Sequence, residues 1–437
     1  MLSIAELPKY VAYKDSGIDW IGEVPTQWSV ERIKNLGSVI NGATPSSGVA
    51  AYWDGDVVWA APTDINNVKF LFDTGRRLTK RGYESCGATI VPAGSLVVTC
   101  RAPIGKVAIA GVDLCTNQGC KTIVLKDFSE NGFLYYVLSV LSEKLNSIGS
   151  GTTFLELGSS ELKDLQIASP PIEDKVLIAK FLDKKTTQID DAIAIKEQQI
   201  ALLKERKQII TQKALTQGLD QDVPMKDSGV DWIGAIPAHW ETKRVKNIFR
   251  MVMEPSEKNN DHELLSVYTD IGVKPRRELE ERGNKASTTD GYWLVKKGDI
   301  VVNKLLAWMG AIGLSEYDGV TSPAYDILRP QLPINGYFYH YLFRSSFCSA
   351  ELKRHSRGIM DMRLRLYFDK FGVVEVPYPP VSEQDEIIRS LRFQMQEVDK
   401  GINHLHLQIE KLKEYKTTLI NSAVTGKIKV TPEMVEA

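Results

Sequence analysis

Apolar residues recur at alternating spacings of three and four in two long stretches of the chain, and each stretch follows a Pro-Pro pair. Both stretches are poor in Pro and Gly and rich in Lys, Glu, Gln, Ile and Leu, so we expect long helices. The second stretch, from about 381 to 425, has a heptad seam at Ile388, Leu391, Met395, Val398, Ile402, Leu405, Ile409, Leu412, Leu419 and Ala423. The first has, 209 positions earlier, the more polar seam Ala179, Leu182, Thr186, Ile189, Ile193, Lys196, Ile200, Leu203, Lys207, Ile210 and Ala214.

Helices of this length need partners for their apolar seams. About 45 residues at 1.5 Å each make a helix roughly 68 Å long, well beyond the usual globular helix. Because both helices belong to one chain, we expect them to pack antiparallel against each other with pseudo-twofold symmetry; an intermolecular coiled coil is the alternative. The polar seam positions Lys196, Lys207 and Lys416 are then expected to set register.

A second repeat precedes each helix. The segment Lys14-Asp-Ser-Gly-Ile-Asp-Trp-Ile-Gly-Glu-Val-Pro-Thr-Gln-Trp28 returns as Lys226-Asp-Ser-Gly-Val-Asp-Trp-Ile-Gly-Ala-Ile-Pro-Ala-His-Trp240. The copy continues to Asn35 and Asn247, and we call 14–35 and 226–247 the WIG segments. We expect Trp20, Trp28, Trp232 and Trp240 to be packing anchors. Between each WIG segment and its helix lies a block the size of a domain. The two blocks match only faintly, as in Val91–Val98 against Val295–Val302.

The blocks contain short β-rich runs separated by Gly and Pro, which indicates mixed domains with a substantial antiparallel component. We therefore predict an α/β (α+β) protein in which two homologous domains are joined by two long antiparallel coiled-coil helices. The predicted order is a first domain at 1–169 (WIG segment 14–35), a helix at 170–218, a second domain at 219–378 (WIG segment 226–247), and a second helix with a tail at 379–437. The two copies of the frame, made of WIG segments and helices, are similar in sequence, whereas the two blocks have diverged. We therefore expect two identical partners on the frame and two versions of one ligand on the domains.

Composition narrows the class of protein. A net charge of −1 excludes a uniformly basic nucleic-acid coat, so any polyanion binding must come from local patches. We find no membrane-spanning run and no leader, and we expect a cytoplasmic protein. Five cysteines (Cys86, Cys100, Cys115, Cys120, Cys348) form no C-x-x-C pair, so we expect buried reduced thiols rather than disulfides or a zinc site.

Motifs for catalysis are incomplete throughout the chain. Ser169-Pro-Pro-Ile172 begins like an amino-methyltransferase motif but has Ile where an aromatic residue would stack on a flipped base. No glycine fingerprint or P-loop follows a strand, and the six histidines make no H-E-x-x-H motif. We therefore predict no catalytic residue, no metal site and no cofactor in this chain.

Two basic patches stand out against the near-neutral chain. Arg76, Arg77, Lys80 and Arg81 lie within six positions without an acid, and Lys353, Arg354, Arg357, Arg363 and Arg365 surround a single Asp361. Such clusters are candidate phosphate contacts, and solvated surface is the alternative for each. Candidate base readers are Asn41, Thr44, Ser46, Ser47, Arg101, Asn117 and Gln118 in the first block, and Asn303 and Lys304, with Trp308 nearby, in the second. For Asn117-Gln118 the alternative is a turn that satisfies backbone groups.

Together these motifs are similar to one family. The duplicated WIG segment, the loop Asn41-Gly-Ala-Thr-Pro-Ser46, Tyr52-Trp-Asp-Gly55, Asn117-Gln-Gly119 and the two helices that follow Pro-Pro resemble the specificity (S) subunit of type I restriction-modification systems, over essentially the whole chain. The second block departs from this pattern, with Met253-Glu-Pro-Ser256 where the first has the Asn-Gly loop.

The resemblance implies a non-catalytic DNA-binding subunit with two target-recognition domains, each reading one half of a bipartite asymmetric sequence. It further implies two methyltransferase subunits that carry S-adenosylmethionine and methylate adenine, and two motor-nuclease subunits that use ATP and Mg²⁺. Helix positions off the seam are expected to dock the methyltransferase: Lys204, Glu205, Arg206, Lys413, Glu414 and Tyr415. The alternatives are a self-contained DNA-modifying or restriction enzyme with an unrecognised site, and a coiled-coil adaptor.

Overall fold

The structure is a computed structural model that describes residues 4–66, 68–149, 155–220, 222–279, 289–359 and 363–436. The chain divides into two compact units, one of Met1–Lys196 with Leu407–Ala437 and one of Glu197–His406. The boundary of the units therefore crosses both long helices, and each unit contains one globular domain with a part of each helix.

The first domain is a mixed α/β structure. Its strands are β1 (Tyr13–Asp15), β2 (Glu23–Pro25), β3 (Ser29–Arg32), β4 (Gly37–Asn41), β5 (Trp53–Ala60), β6 (Phe70–Leu71), β7 (Arg77–Leu78), β8 (Leu96–Thr99), β9 (Val107–Ala110), β10 (Cys115–Thr116), β11 (Cys120–Leu125) and β12 (Gln166–Ser169). Its helices are α1 (Ile33–Leu36), α2 (Lys80–Glu84), α3 (Asn131–Ser139), α4 (Ser142–Ile148) and α5 (Ser159–Asp164), with 3₁₀ turns at Ile4–Glu6, Ala50–Tyr52 and Phe128–Glu130.

The central sheet of this domain has the order β4-β11-β8-β9-β6, and only the β6–β9 pair is parallel. Leu96 and Val98 of β8 face one core cluster together with α3, whereas Val97 faces a second cluster on the other side of the sheet. Both faces of β8 are thus covered, which is why its sequence is a continuous apolar run rather than an alternating one.

The second domain repeats these elements. Its strands are β13 (Met225–Asp227), β14 (Ala235–Pro237), β15 (Glu241–Arg244), β16 (Phe249–Val252), β17 (Leu265–Tyr268), β18 (Gly272–Pro275), β19 (Trp293–Val295), β20 (Ile300–Asn303), β21 (Ile312–Leu314), β22 (Gly319–Thr321), β23 (Tyr325–Pro330) and β24 (Glu375–Tyr378). Its helices are α7 (Val245–Ile248), α8 (Gly336–Arg344), α9 (Ser346–His355) and α10 (Phe368–Phe371), with 3₁₀ turns at Arg276–Leu279 and Ala307–Met309.

Sheet topology confirms that the two domains share one fold. The order β16-β23-β20-β21 matches β4-β11-β8-β9, the hairpin β13–β14 matches β1–β2, and β15–β24 matches β3–β12. The register also agrees, because Lys121 lies opposite Val98 as Asp326 lies opposite Val302. The faint sequence match between the blocks therefore marks a real structural duplication.

The long helices are α6 (Ile172–Gln217) and α11 (Val381–Val424); the short helix α12 (Pro432–Glu436) follows in the tail. Each long helix begins just after a Pro-Pro pair. Its first turn is acidic, and negative charge there interacts favourably with the helix dipole. Each ends near a glycine in the left-handed region, Gly218 at φ +76° and Gly426 at φ +74°. Gly401 is inside α11.

The predicted heptad seams are confirmed, since each of their residues is buried or half-buried. In the first unit Lys416 of α11 contacts both carboxylate oxygens of Asp190 of α6 at 2.7 Å, and Lys196 donates to the side-chain oxygen of Gln408. In the second unit Lys207 contacts Asp399 at 2.7 and 2.8 Å. The start of each helix therefore meets the end of the other, so the pairing is antiparallel and within one chain.

The WIG tryptophans pack as expected. Trp28 and Trp240 are almost fully buried, each in the core of its unit, while Trp20 and Trp232 are half-buried at the edge of the same cores. Trp240 donates its indole N–H to Glu383 in the first turn of α11 at 2.8 Å. The WIG segment is thus bound to the helix ends, which explains why segment and helices form one repeated frame.

Candidate nucleic-acid interface

Asn41 and Lys121 lie opposite each other at the ends of β4 and β11 in the first domain. The Lys121 side chain is buried, with 6% of the residue exposed, and its Nζ donates to Oδ1 of Asn41 at 3.2 Å. Ser159, at the start of α5, donates its hydroxyl to the same oxygen at 2.6 Å. Asn41 itself is exposed, so the end of this strand pair presents its amide to solvent.

The Gly-Pro loop after Asn41 is held against the strand end by backbone hydrogen bonds, from Gly42 to Cys120 and from Ala43 to Thr116. A Cβ at Gly42 would lie 1.9 Å from the carbonyl oxygen of Asn117, so only glycine fits there. Thr44 donates its hydroxyl to the side-chain oxygen of Gln118. Thr44 and Gln118 are exposed on this surface, as are Ser46 and Ser47.

Asn117 and Arg101 are both engaged within the protein. Oδ1 of Asn117 accepts the backbone N–H of Gly119 at 2.9 Å, which is the turn-stabilising role that its sequence context favours. Arg101 donates Nε to Glu156 at 3.1 Å, and both side chains are partly exposed. The Arg101 guanidinium thus keeps its remaining N–H groups for a ligand but has a counter-charge beside it.

The first basic patch is less positive than its sequence window indicates. Asp73 pairs with Arg77 at 2.9 Å and Glu84 approaches Lys80 at 3.9 Å, so acids just outside the window offset two of the four charges. A backbone hydrogen bond from Thr74 and the Arg77 side chain lower the pKa of Asp73. The Arg76 guanidinium stacks on Trp53, 3.4 Å from the ring centroid, and Arg81 lies 6.0 Å from the ring of Tyr52.

The corresponding strand end of the second domain has different chemistry. Lys304 pairs with Asp326 at 3.1 Å, and burial raises the pKa of that carboxyl group. Oδ1 of Asn303 accepts the N–H of Leu305 at 3.1 Å. Lys353 lies over the ring of Trp308, 4.8 Å from its centroid. The predicted reader Lys304 is therefore tied to an acid that the sequence analysis had not singled out.

The second basic patch partly lines a concavity of about 620 Å³, bordered by Leu305, Arg357, Gly358, Arg363, Arg365 and Tyr367. Arg357 pairs with Asp369 at 3.1 Å, whereas Arg363 and Arg365 form no ion pair with any residue that the structure describes. Arg354 pairs with Glu351 at 2.9 Å on α9, and Asp361 lies outside the described residues. The concavity keeps an excess of positive charge.

Sequence reasoning missed three polar groups of these surfaces, namely Lys121, Glu156 and Asp326. Lys121 is the lysine in the apolar strand Cys120-Lys-Thr-Ile-Val-Leu125, a position where a charge must have a partner, and this was the available signal. Lys121 and Asp326 occupy the same register position of the shared fold. The two domains thus present opposite charges at equivalent places.

Most of the predicted docking residues are exposed on the long helices. Lys204, Glu205 and Arg206 are exposed on α6, and Lys413 and Glu414 on α11, where Lys413 pairs with Glu410 at 3.1 Å. Tyr415 is different, since its ring packs half-buried against the core of the first unit and burial raises its pKa. Tyr415 therefore contributes to the packing of its own unit.

Among the described residues, no group of His, Cys, Asp and Glu side chains is arranged to hold a metal ion, and no helix is long and apolar enough to cross a membrane. The five cysteines are free thiols. Four of them are buried as the sequence predicted, whereas Cys86 is half-buried. Burial raises the pKa of the Cys115 thiol to about 12, which makes it a poor nucleophile.

Comparison with known proteins shows which family the chain resembles. Residues 25–205 match the model of the type I restriction modification DNA specificity domain. The chain is 34% identical over 239 residues to the Type I restriction enzyme MjaIX specificity subunit of Methanocaldococcus jannaschii, covering 53% of this chain and 54% of that protein. It is 26% identical over 326 residues to the Type I restriction enzyme EcoBI specificity subunit of Escherichia coli, covering 69% of this chain and 67% of that protein. Residues 25–205 thus form a type I restriction modification DNA specificity domain, and the relatives that the chain resembles are type I specificity subunits.

Two solved structures have the same fold as this chain. A chain from a study of complex assembly and conformational transition of the type I R-M system matches with a TM-score of 0.67 at 15% identity, over 92% of this chain and 98% of that one. The HsdS subunit from Thermoanaerobacter tengcongensis matches with a TM-score of 0.55 at 14% identity, over 93% and 98%. In sequence, the chain spans about half the length of the M. jannaschii relative that it matches.

Proposed function

We propose that this chain is the specificity subunit, which recognises DNA, of a type I restriction-modification enzyme, and that its two domains read the two halves of a bipartite, asymmetric target. The observation that carries the proposal is the pair of strand ends described above. One fold occurs twice, yet its equivalent positions carry Lys121 with Asn41 in one copy and Asp326 with Met253 in the other. Two copies with different polar groups suit two different base sequences.

The repeated frame supports the partner side of the proposal. Each WIG segment is bound to helix ends by the same tryptophan anchor, so the frame offers two similar surfaces on which a methyltransferase subunit can dock. Two methyltransferase subunits would supply S-adenosylmethionine and methylate adenine after flipping it from the duplex. Two motor-nuclease subunits would supply ATP- and Mg²⁺-dependent translocation and cleavage.

The test is DNA binding by the chain assembled with its methyltransferase partner. A library with two randomised blocks separated by a variable spacer is bound, selected and sequenced. We expect one preferred sequence in each block and one preferred spacer length. Binding that selects neither sequence would contradict the proposal and would favour an adaptor role.

A further inference from the structure

The amide side chains on the candidate reading surface of the first domain have their carbonyl oxygens engaged inside the protein. Oδ1 of Asn41 accepts from Lys121 and Ser159, Oδ1 of Asn117 accepts from Gly119, and Oε1 of Gln118 accepts from Thr44. The amide nitrogens of these three residues donate to no residue that the structure describes. The free hydrogen-bonding groups of these amides are therefore mainly donors.

The orientation of the Asn41 amide follows from chemistry. A lysine ammonium has three donors and no acceptor, so the Asn41 atom that faces Lys121 must be the oxygen. With Ser159 as a second donor, both lone pairs of that oxygen are used. Rotating the amide by 180° would place an N–H₂ group against the buried Lys121 ammonium, and the ammonium would lose this acceptor.

This orientation conflicts with the usual way in which asparagine reads adenine. That contact is bidentate: the side-chain oxygen accepts from adenine N6 while the nitrogen donates to N7. Asn41 can make only the second of these bonds. The amides of Asn41, Asn117 and Gln118 together form what we call the donor face, and the buried Lys121 lies beneath it.

We propose that the donor face binds acceptor atoms of DNA, namely N7 of a purine, O6 of guanine, O4 of thymine or a phosphate oxygen, and that Asn41 does not read adenine bidentately. The proposal rests on the proposed function. It states that hydrogen-bond donors of the protein contact the first half-site. Neither family membership nor the exposure of polar residues gives this information.

The second domain lacks this arrangement. Asp326 replaces Lys121 in the register, and Met253 stands at the position of Asn41. The Asp326 carboxylate accepts from Lys304, so the acid and the base at this strand end satisfy each other. A surface of mainly donor groups is therefore expected at one half-site and not at the other.

The test is the Asn41→Asp variant in the assembled complex. The substitution is isosteric, and its inner oxygen still accepts from Lys121, so the fold is retained while the outward atom changes from donor to acceptor. Asn66→Asp is a matched control, because Oδ1 of Asn66 also accepts from a lysine, Lys106, at 3.1 Å and the charge change is the same. Affinity is measured for the mapped site and for every single-base variant of both half-sites.

We expect Asn41→Asp to weaken binding by about tenfold or more, the size of one lost specific contact, and Asn66→Asp to change it by less than about twofold. A loss confined to one guanine, thymine or adenine N7 assigns the acceptor to a base edge, and a loss equal for all base variants assigns it to a phosphate; both support the donor face. Unchanged affinity in Asn41→Asp, or an equal loss in Asn66→Asp, would overturn it.

A third variant, Asn41→Ala, tests whether Asn41 reads adenine bidentately. Suppose that Asn41→Ala relaxes the base preference at one position, and that the preferred base there is an adenine contacted through its N6 amino group. The Asn41 amide then reads adenine bidentately, and the inference is wrong. Failure of the proposed function has a different signature, since the unsubstituted complex would then show no sequence preference at either half-site.

Discussion

Lys121 shows how one buried side chain determines what its neighbours can do. An ammonium removed from water costs several kcal/mol unless its hydrogen bonds are satisfied, and here the exposed Asn41 supplies the acceptor. Asn41 thereby loses its own acceptor for DNA. A surface residue that looks versatile in the sequence is thus restricted by a residue beneath it, 80 positions away in the chain.

The charges of the first basic patch lead to a prediction about the salt dependence of DNA binding. Replacing Arg76, Arg77, Lys80 and Arg81 by Glu should weaken binding to the first half-site and flatten its salt dependence, because phosphate contacts release counterions. Arg77 and Lys80 are already offset by acids, so we expect the slope of log affinity against log salt to fall by about two, one for each remaining charge.

Titration of binding against salt, with the preference at the second half-site as internal control, measures this effect. An unchanged slope would mean that the patch is solvated surface. A fall of about four would mean that DNA displaces the acids from Arg77 and Lys80.

The ends of the long helices are the most constrained elements of the frame. Gly218 and Gly426 both have positive φ, and both lie against a WIG tryptophan. A Cβ at Gly218 would be 3.2 Å from the Trp240 ring, whereas at Gly426 it would be 2.4 Å from Pro25 as well as 3.2 Å from Trp28. The same cap is thus more tightly packed in the first unit.

Alanine substitution tests this difference. Gly218→Ala should lower the free energy of unfolding by about 1 kcal/mol, the cost of a left-handed alanine. Gly426→Ala should cost more, because the wall against its Cβ is the rigid Pro25 ring and the packing must shift. Urea denaturation of the two variants measures the difference, and equal losses would show that Pro25 yields without cost.

The polar seam pairs allow a second test at this scale. Lys207–Asp399 and Lys416–Asp190 are the same pair in the two units, each 209 positions from its counterpart. Asp399→Lys should destabilise the protein by up to about 1 kcal/mol through repulsion in a partly exposed site. Adding Lys207→Asp should restore the loss; a double variant no better than the single one would show that the pair does not contribute to register.

At the scale of the whole molecule, catalysis is expected to depend on partners. The purified chain should bind no S-adenosylmethionine, since its motifs for that cofactor are incomplete. Equilibrium dialysis with the labelled cofactor measures this, with the assembled complex as positive control. Stoichiometric binding by the chain alone would contradict the proposed division of labour.

The spacing of the half-sites gives a second whole-molecule prediction. Inserting one base pair between them moves one half-site by ~3.4 Å and rotates it by about a tenth of a turn. If the paired helices hold the domains at a set separation, affinity should fall at least about tenfold. Competition binding with spacers from one base pair shorter to three longer measures it, and tolerance of several insertions would refute a fixed separation.

The sequence by itself determined the parts of this protein that repeat locally. The heptad seams, the helix starts after Pro-Pro and the WIG segments are patterns of neighbouring residues, and local spacing is enough to recognise a helix or a duplicated segment. The match of Val91–Val98 with Val295–Val302 likewise indicated one fold in both blocks, and β8 and β20 confirm it.

The tertiary structure decided which polar groups on those folds remain free. Arg101 meets Glu156 from 55 positions away, Lys304 meets Asp326 from 22, and Asn41 meets Ser159 from 118. Such partners come together only when the chain folds, so no local sequence pattern predicts them. A hydrogen-bonding atom used inside the protein is lost to a ligand. The sequence therefore predicted a candidate DNA surface, and only the fold decided which of its atoms are free to bind.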